Sequence, residues 1–448
     1  MNDFAGTRNV SAGQAAAPLI MTSSDSRPHE RTDKAMAGGT RLPVVVATIF
    51  REHGSTGVHT HFEQLRQYLE PRSGRVTIVT PFSWRRWLTY PVFGPRLLLQ
   101  RWSGAASVFW YRHWHEVFLT KALHACLADI GECVVYAQGP VEARAALRTR
   151  RDQHQRVVLA VHFRTSQADE HAEPGREIAA DSTMFRRIRK LERDVIPRVD
   201  GLVYVSEWAR TALLGWLPEA AHVPHAVISN FVAPMPFQAA SESIGDLVTT
   251  GKLEDRKNHR FLLEVLAEAK AAGREYTLDV FGDGPLRHDL ARYARDLGLH
   301  GQVRFRGYRP DVRRYLPCYR AYAHAAYAET SSLAIIEAMA VGLPVVAAPI
   351  GPIPELCTDG VEARFWPLDD AAEAAMILMN LLDSEPTRLM LAKAARERFH
   401  REFDARLLGP RLVSFLTEPS TRRPRPADDA GDGPPAFAPR AAGHRARL

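Results

Sequence analysis

Short runs of β-branched and other apolar residues recur along the chain, and between them apolar positions return every three or four residues. In the first half the runs are RLPVVVATIF (41–50), RVTIVTPF (75–82), ECVVYAQG (132–139) and RVVLAVHF (156–163). In the second they are GDLVTTGKL (245–253), YTLDVFGDG (276–284), VRFRGY (303–308), AYAHAAY (321–327) and LPVVAAP (343–349). Strands that are apolar on both faces and alternate with amphipathic helices predict an α/β protein of parallel sheets covered on both sides. The pattern restarts after SNFVAPMPFQAASESIG (229–245), which is rich in Pro, Ser and Ala, so two doubly wound domains are expected. Residues 1–41 and 418–448 carry Ala, Ser, Gly, Pro and Arg without periodicity; as they cannot bury enough surface to offset ordering, they are expected to be a disordered leader and tail.

Composition narrows the reading. At 448 residues and 46% hydrophobic content the chain can hold more than one core. An excess of 58 Lys and Arg over 51 Asp and Glu favours anionic partners. Four scattered cysteines lack metal-ligand spacing, and neither a secretory apolar core nor a membrane-length apolar run is present, which predicts a cytoplasmic protein.

In doubly wound sheets ligands gather beyond the carboxyl ends of the strands, so the strand exits carry the candidate chemistry. GKLEDRKN (251–258) places Lys252 and Lys257 beside Gly251; point charges next to a close-approach turn suit a diphosphate, and a solvated basic loop is the plain alternative. FGDGPL (281–286) reads as a structural turn, and Gly307 with Tyr308 ends another strand where a base could meet backbone. YAETSSLAIIEAMAVGLPVVA (327–347) sets Glu329 and Glu337 eight positions apart, with Ser331 and Ser332 able to cap a helix from Leu333 to Val341. Its amino end suits an anion, and carboxylates there can accept from sugar hydroxyls. Taken singly, Glu337 is equally a first-turn acid and Glu329 an exposed loop acid. His59 and His61 have no third ligand, so no metal site is expected.

Several pieces together resemble the retaining, GT-B-fold glycosyltransferases of family 4. They are Gly57-Val58 with His61, Gln138-Gly139-Pro140, His162, RVDGLVYVSEWAR (198–210), VISN (227–230), Gly251-Lys252 with Lys257, FGDGPL, FRGYRPD (305–311), the two glutamates, EAMAVGLPVVA (337–347) and GPIPEL (351–356), spanning roughly 42–417. The resemblance implies an acceptor domain at 42–236, a nucleotide-sugar domain at 243–396, a helix at 397–417 returning to the first domain, and an interdomain cleft. It also implies that Glu337 holds ribose, Glu329 and His162 face the donor sugar, and Lys252 and Lys257 neutralise the diphosphate without metal or cofactor. Gly57, Gly251, Gly307, Tyr308, Ser331, Ser332 and Leu333 complete the implied donor site. The chain departs from the family pattern at Thr56, at Phe231, at Lys252, where Arg is usual, and at Thr330-Ser331-Ser332, where glycines are usual. The implied activity is α-glycosyl transfer to a glycan or lipid-linked acceptor; a GT-B phosphorylase or epimerase and an inactive sugar-nucleotide scaffold are the alternatives.

Five of eight tryptophans (Trp84, Trp87, Trp102, Trp110, Trp114) interleave with Arg85, Arg86, Arg96, Arg101 and Arg112. Amphipathic aromatics beside arginine fit an anionic membrane surface, which would place the protein peripherally at the inner face; an insertion that packs its aromatics internally fits as well, and nucleic acid is not expected.

Overall fold

The computed structural model describes residues 42–51, 65–66, 76–151, 154–173, 178–235 and 244–417; Thr56, Gly57, His59, His61 and both expected tails lie outside them. Twelve strands among the described residues form two sheets. The first contains β1 (Val44–Ala47), β2 (Val76–Val79), β3 (Cys133–Ala137), β4 (Gln155–Val161), β5 (Gly201–Tyr204) and β6 (His225–Val227) in the order β2-β1-β3-β4-β5-β6. The second contains β7 (Gly245–Thr250), β8 (Leu278–Phe281), β9 (Val303–Gly307), β10 (Tyr319–His324), β11 (Val345–Ala347) and β12 (Ala363–Phe365) in the order β12-β11-β10-β7-β8-β9. Every pairing is parallel. The apolar runs thus mark nine of the strands and leave out β5, β6 and β12, of which β6 (HAV) and β12 (ARF) each carry a polar residue among only three positions.

Alternation along each strand divides its residues between two cores. Val45, Val135, Val157 and Leu159 pack with Leu119, Leu123, Ala143 and Ala146 from helices Gly104–Cys126 and Pro140–Thr149. Their neighbours Val44, Val46, Val134, Tyr136, Val158 and Ala160 face the other way, onto Leu408, Leu412 and Leu416 of helix Ala405–Thr417. The chain's last described helix therefore covers the first sheet. In the second sheet Leu247, Val280 and Ala323 meet Phe261, Leu262 and Val265, while Val248, Tyr322 and Val345 meet Ile335, Ile336, Met339, Phe399 and Phe403.

The chain passes between the sheets twice, and the two passages lie side by side. Val232 bridges Asp404 in parallel: its amide donates to the Phe403 carbonyl (3.3 Å) and its carbonyl accepts from Ala405 (3.0 Å).

The tryptophan-rich segment joins β2 to β3 as three helices, Arg86–Phe93, Arg96–Trp102 and Gly104–Cys126. Its aromatics divide between packed and exposed positions. Trp84 stacks on Phe118 with centroids 6.0 Å apart, Trp114 stacks on the same ring at 5.6 Å, and Trp110 donates through Nε1 to the Val92 carbonyl (2.8 Å). Trp87 and Trp102 are instead 71% and 90% exposed. No helix among the described residues is long and apolar enough to cross a membrane.

Leu412 is buried in the returning helix, and removing its isobutyl group leaves a cavity against the first sheet. Leu412→Ala should cost about 2–4 kcal/mol in chemical denaturation. An unchanged midpoint would mean that this helix does not stabilise the first sheet.

Candidate functional site

In the second sheet β7, β8 and β9 run outward to one side and β10, β11 and β12 to the other, so the strand order reverses between β7 and β10. Chains leaving two such neighbours diverge and open a crevice at their carboxyl ends. Gly251 follows β7, and Ala325 to Glu329 follow β10.

Glu329 is buried at that exit, not exposed. Lys257 Nζ lies on its Oε1, the Arg256 guanidinium is 3.2 Å from Oε2, and His324 Nε2, from the last residue of β10, is 3.2 Å from Oε1. Arg256 also donates to the Ala328 carbonyl (2.8 Å) and to Glu254 (3.2 Å). Burial alone would raise the Glu329 pKa; Lys257, His324 and Arg256 outweigh it and hold the group well below the usual carboxylate range. Burial, partly offset by Glu329, pushes the His324 pKa down. As an ionised carboxylate can only accept, Nε2 carries a proton.

The turn that delivers these cations depends on local backbone chemistry. Residues Asp255–Lys257 make one 3-10 turn, ended by Asn258 at φ 50°, a left-handed conformation that Asn tolerates. Gly251 (φ 153°) donates to the Phe281 carbonyl (2.9 Å), and Gly282 (φ 138°) lies so close that a Cβ there would collide with the Gly251 carbonyl oxygen. FGDGPL is thus a structural turn that shapes the Gly251–Leu253 loop. Lys252 reaches outward: its ammonium pairs with Glu254 at 3.0 Å and is more than half exposed.

The second glutamate sits in the opposite environment. Glu337 is buried within helix Leu333–Ala340 and makes no hydrogen bond among the described residues. Burial pushes its pKa up to about 7, against a weaker pull from Arg313. The Arg313 guanidinium donates to the Ala233 carbonyl (2.6 Å) and leaves its Nε without a partner among the described residues. Ser332 caps the helix, accepting from Ile335 N (3.4 Å), and Ser331 Oγ is buried and unpartnered among the described residues. Leu333 opens the helix, half-buried. Gly307 (φ 74°) closes β9 and accepts from Gly282 N (2.9 Å), with the Tyr308 ring exposed beyond it.

From the first sheet, His162 follows β4 with Nε2 3.2 Å from Gln138 Oε1 at the exit of β3, and burial lowers its pKa to about 4. The two halves touch beside Glu329. Ser206 Oγ caps helix Glu207–Trp216 and donates to the Thr330 carbonyl (3.0 Å). The Glu355 carboxylate, from GPIPEL in the second half, accepts from the amides of Glu207 (2.9 Å) and Trp208 (2.6 Å), placing an acid at that helix's positive end.

The structure therefore brings Glu329, Lys257 and Ser332 into one cluster and sets Lys252 and Gly251 on the adjoining loop. Glu337, Leu333, Gly307 and Tyr308 lie at exits of the same sheet, and His162 belongs to the facing half. Sequence reasoning missed Arg256, His324, Arg313, Ser206 and Glu355. A histidine in the otherwise apolar run AYAHAAY, and an arginine directly before Lys257, were the available signals.

Glu337 offers a pH test. An acid whose folded pKa exceeds its unfolded one costs stability once ionised; the cost is absent below about pH 4.5 and complete above about pH 7. Glu337→Gln should therefore be more stable than the parent at pH 8, by roughly 3 kcal/mol, and show little gain at pH 4. A pH-independent difference in thermal scans would refute the buried, unpartnered carboxylate. Gly282→Ala should lower both the melting temperature and nucleoside diphosphate affinity, since the loop it displaces carries Lys252; calorimetry showing parental affinity would refute that link.

Residues 245–384 match the family described as "Glycosyl transferases group 1". Similar curated proteins include a lipopolysaccharide core biosynthesis glycosyltransferase of Rhizobium meliloti, 27% identical over 46% of this chain and 60% of the relative. Another is an amylovoran biosynthesis glycosyltransferase of Erwinia amylovora, 28% identical over 38% of this chain and 44% of the relative. The aligned stretches thus span about half the length of these relatives. Among solved structures, Anabaena HepE in complex with UDP-glucose superposes with a TM-score of 0.62 at 18% identity, covering 84% of this chain and 99% of that one. Sucrose-phosphate synthase from Thermosynechococcus elongatus gives 0.64 at 16% identity, over 83% and 97%. Residues 245–384 are accordingly similar to the group 1 glycosyl transferases, and the described chain has the GT-B fold of these solved structures.

Proposed function

We propose that the protein is a glycosyltransferase that moves a sugar from a nucleotide-sugar donor to a glycan or lipid-linked acceptor, in synthesis of a cell-envelope or exported polysaccharide. The observation that carries this reading is the pair of buried glutamates at the exit of β10, one held ionised by cations and the other without a hydrogen-bond donor among the described residues. A sugar nucleotide supplies what each lacks. Its ribose hydroxyls are donors for Glu337, and its diphosphate is an anion for Lys252, Lys257 and the amino end of helix Leu333–Ala340 beyond Ser331 and Ser332. Gly307 and Tyr308 then border the base, and Glu329 and His162 face the transferred sugar. Arg256 acts through Glu329 as a positioning residue.

Transfer is retaining and forms an α-linkage from an α-linked donor. With His162 neutral and Glu329 already paired, neither is poised as a nucleophile; front-face displacement, in which the departing phosphate takes the acceptor proton, fits the groups present. Lysines supply the positive charge, so no metal is required. The enzyme works on the cytoplasmic side, peripheral to the membrane that holds its acceptor.

Donor-dependent release of nucleoside diphosphate, across a panel headed by UDP-glucose and GDP-mannose, is the primary test; no release with any donor and acceptor extract would overturn the reading. Glu337→Ala should raise donor KM and weaken nucleoside diphosphate binding in calorimetry, because the ribose contact exists in ground and transition states alike. Glu329→Ala should spare that binding while lowering kcat. Lys252→Ala and Lys257→Ala should cost kcat about a hundredfold, or ~3 kcal/mol, as charge grows on the leaving diphosphate. EDTA should change rates little. Diphosphate binding lost in Glu329→Ala and intact in Glu337→Ala would reverse the two assignments.

A further inference from the structure

The helices Arg86–Phe93 and Arg96–Trp102 follow one another across Gly94 and Pro95, and the first is firmly held. Thr89 Oγ1 donates to the Trp84 carbonyl (3.1 Å), Trp110 Nε1 to the Val92 carbonyl, and the Phe93 ring lies 4.2 Å from that of His115. The pair also holds large apolar groups in solvent: Trp87 at 71% exposure, Tyr90 at 47%, Leu98 at 67% and Trp102 at 90%. Single exposed apolar residues are ordinary; four within sixteen positions, two of them tryptophan, are not. Along the chain the charge here is one-sided: no Asp or Glu occurs between Glu70 and Glu116, and of the arginines in that stretch Arg85, Arg86 and Arg101 are exposed.

We propose that this helix pair is a membrane-docking element, with Trp87, Tyr90, Leu98 and Trp102 entering the interface of a bilayer and Arg85, Arg86 and Arg101 binding anionic phospholipid headgroups. Indole rings lodge at the boundary between headgroups and acyl chains, and guanidinium groups pair with phosphate through a two-donor fork that a lysine cannot form. The absence of acids removes the like-charge repulsion that would otherwise hold the surface off the membrane. A nucleic-acid site would need bases to reach rings flanked by backbone phosphate contacts; exposed arginines with projecting Trp and Leu suit lipid better, because Leu98 has nothing to stack on.

The position of the two helices gives docking a consequence. They leave the carboxyl end of β2, the same end of the sheet as Gln138 after β3 and His162 after β4. Arg51, just beyond β1, places its guanidinium 5.4 Å from the Phe82 ring centroid and 5.6 Å from that of Tyr90. The exit of β1 is thereby fastened to the element that meets the membrane. This deepens the reading of a membrane-side acceptor, yet it is tested separately, because vesicle binding requires neither donor nor turnover.

The test is co-sedimentation of the full chain with vesicles of phosphatidylcholine alone or one-third phosphatidylglycerol, at low and high salt. The parent should bind the anionic vesicles and release with salt. Arg85→Glu/Arg86→Glu/Arg101→Glu should weaken binding about a hundredfold. Trp87→Ser/Trp102→Ser, which keeps every charge, should weaken it about tenfold and abolish the part of the fluorescence quenching by brominated lipid that depends on these rings. Both variants should keep the parental melting temperature and nucleoside diphosphate affinity, which separates lost docking from lost folding. Equal vesicle retention of parent and both variants overturns the proposal. So does a parent that ignores anionic vesicles but self-associates through the patch in sedimentation velocity, or binds an RNA oligonucleotide in its place.

Discussion

The second half is organised around one buried carboxylate. An isolated ionised Glu cannot be taken out of water, because its desolvation exceeds what burial of its methylenes returns. Glu329 is tolerated since Lys257, Arg256 and His324 converge on it from two different strand exits. The carboxylate therefore joins the β7 loop to the β10 loop at the point where strand order reverses. The formal charges of Lys252, Arg256 and Lys257 are matched by Glu254, Asp255 and Glu329, so the loop and its partner balance within the protein itself. Such a site can stay folded without ligand.

Glu337 shows how much environment decides. It lies eight residues further along the same segment, is equally buried, and has its pKa moved in the opposite direction, because Arg313 alone opposes desolvation there. A carboxylate without hydrogen bonds, beside a guanidinium whose Nε also lacks a partner among the described residues, is destabilising until something donates to it. The vicinal diol of a ribose, as proposed above, would do so, and binding would then recover a cost the free protein carries.

Much of this was legible in the chain. Continuous apolar runs gave nine strands, because parallel strands covered on both faces must be apolar at nearly every position. The spacing of Glu329 and Glu337 and the cations after Gly251 were visible for the same reason that short motifs usually are: each lies within one exit loop and its following helix. Long-range pairing was not. That Lys257 turns inward to Glu329 while Lys252 points out depends on the Asp255–Lys257 turn and on Gly282 pressing against Gly251, contacts set by the sheet order. Tryptophans 84, 87, 102, 110 and 114 looked alike in sequence; helix phase separates those that pack on Phe118 or bond to Val92 from those left in solvent.

The contact between the halves completes the argument. Ser206 donates to the carbonyl of Thr330, the residue directly after Glu329, and Glu355 caps the helix that Ser206 begins. A helix end satisfied by a carboxylate from the facing half is a charge-assisted, directional bond, stronger than neutral surface polar contacts. Any separation of the halves breaks it and exposes two amides together with a carbonyl adjoining the Glu329 cluster. Because that cluster also fixes Lys257, movement of the first sheet is mechanically close to the groups read here as diphosphate ligands. The segments at Val232 and Asp404, side by side in parallel, join the two sheets as well. Cation placement and the ionised state of Glu329 are thus aspects of one set of contacts, held in register by the order of β7 and β10.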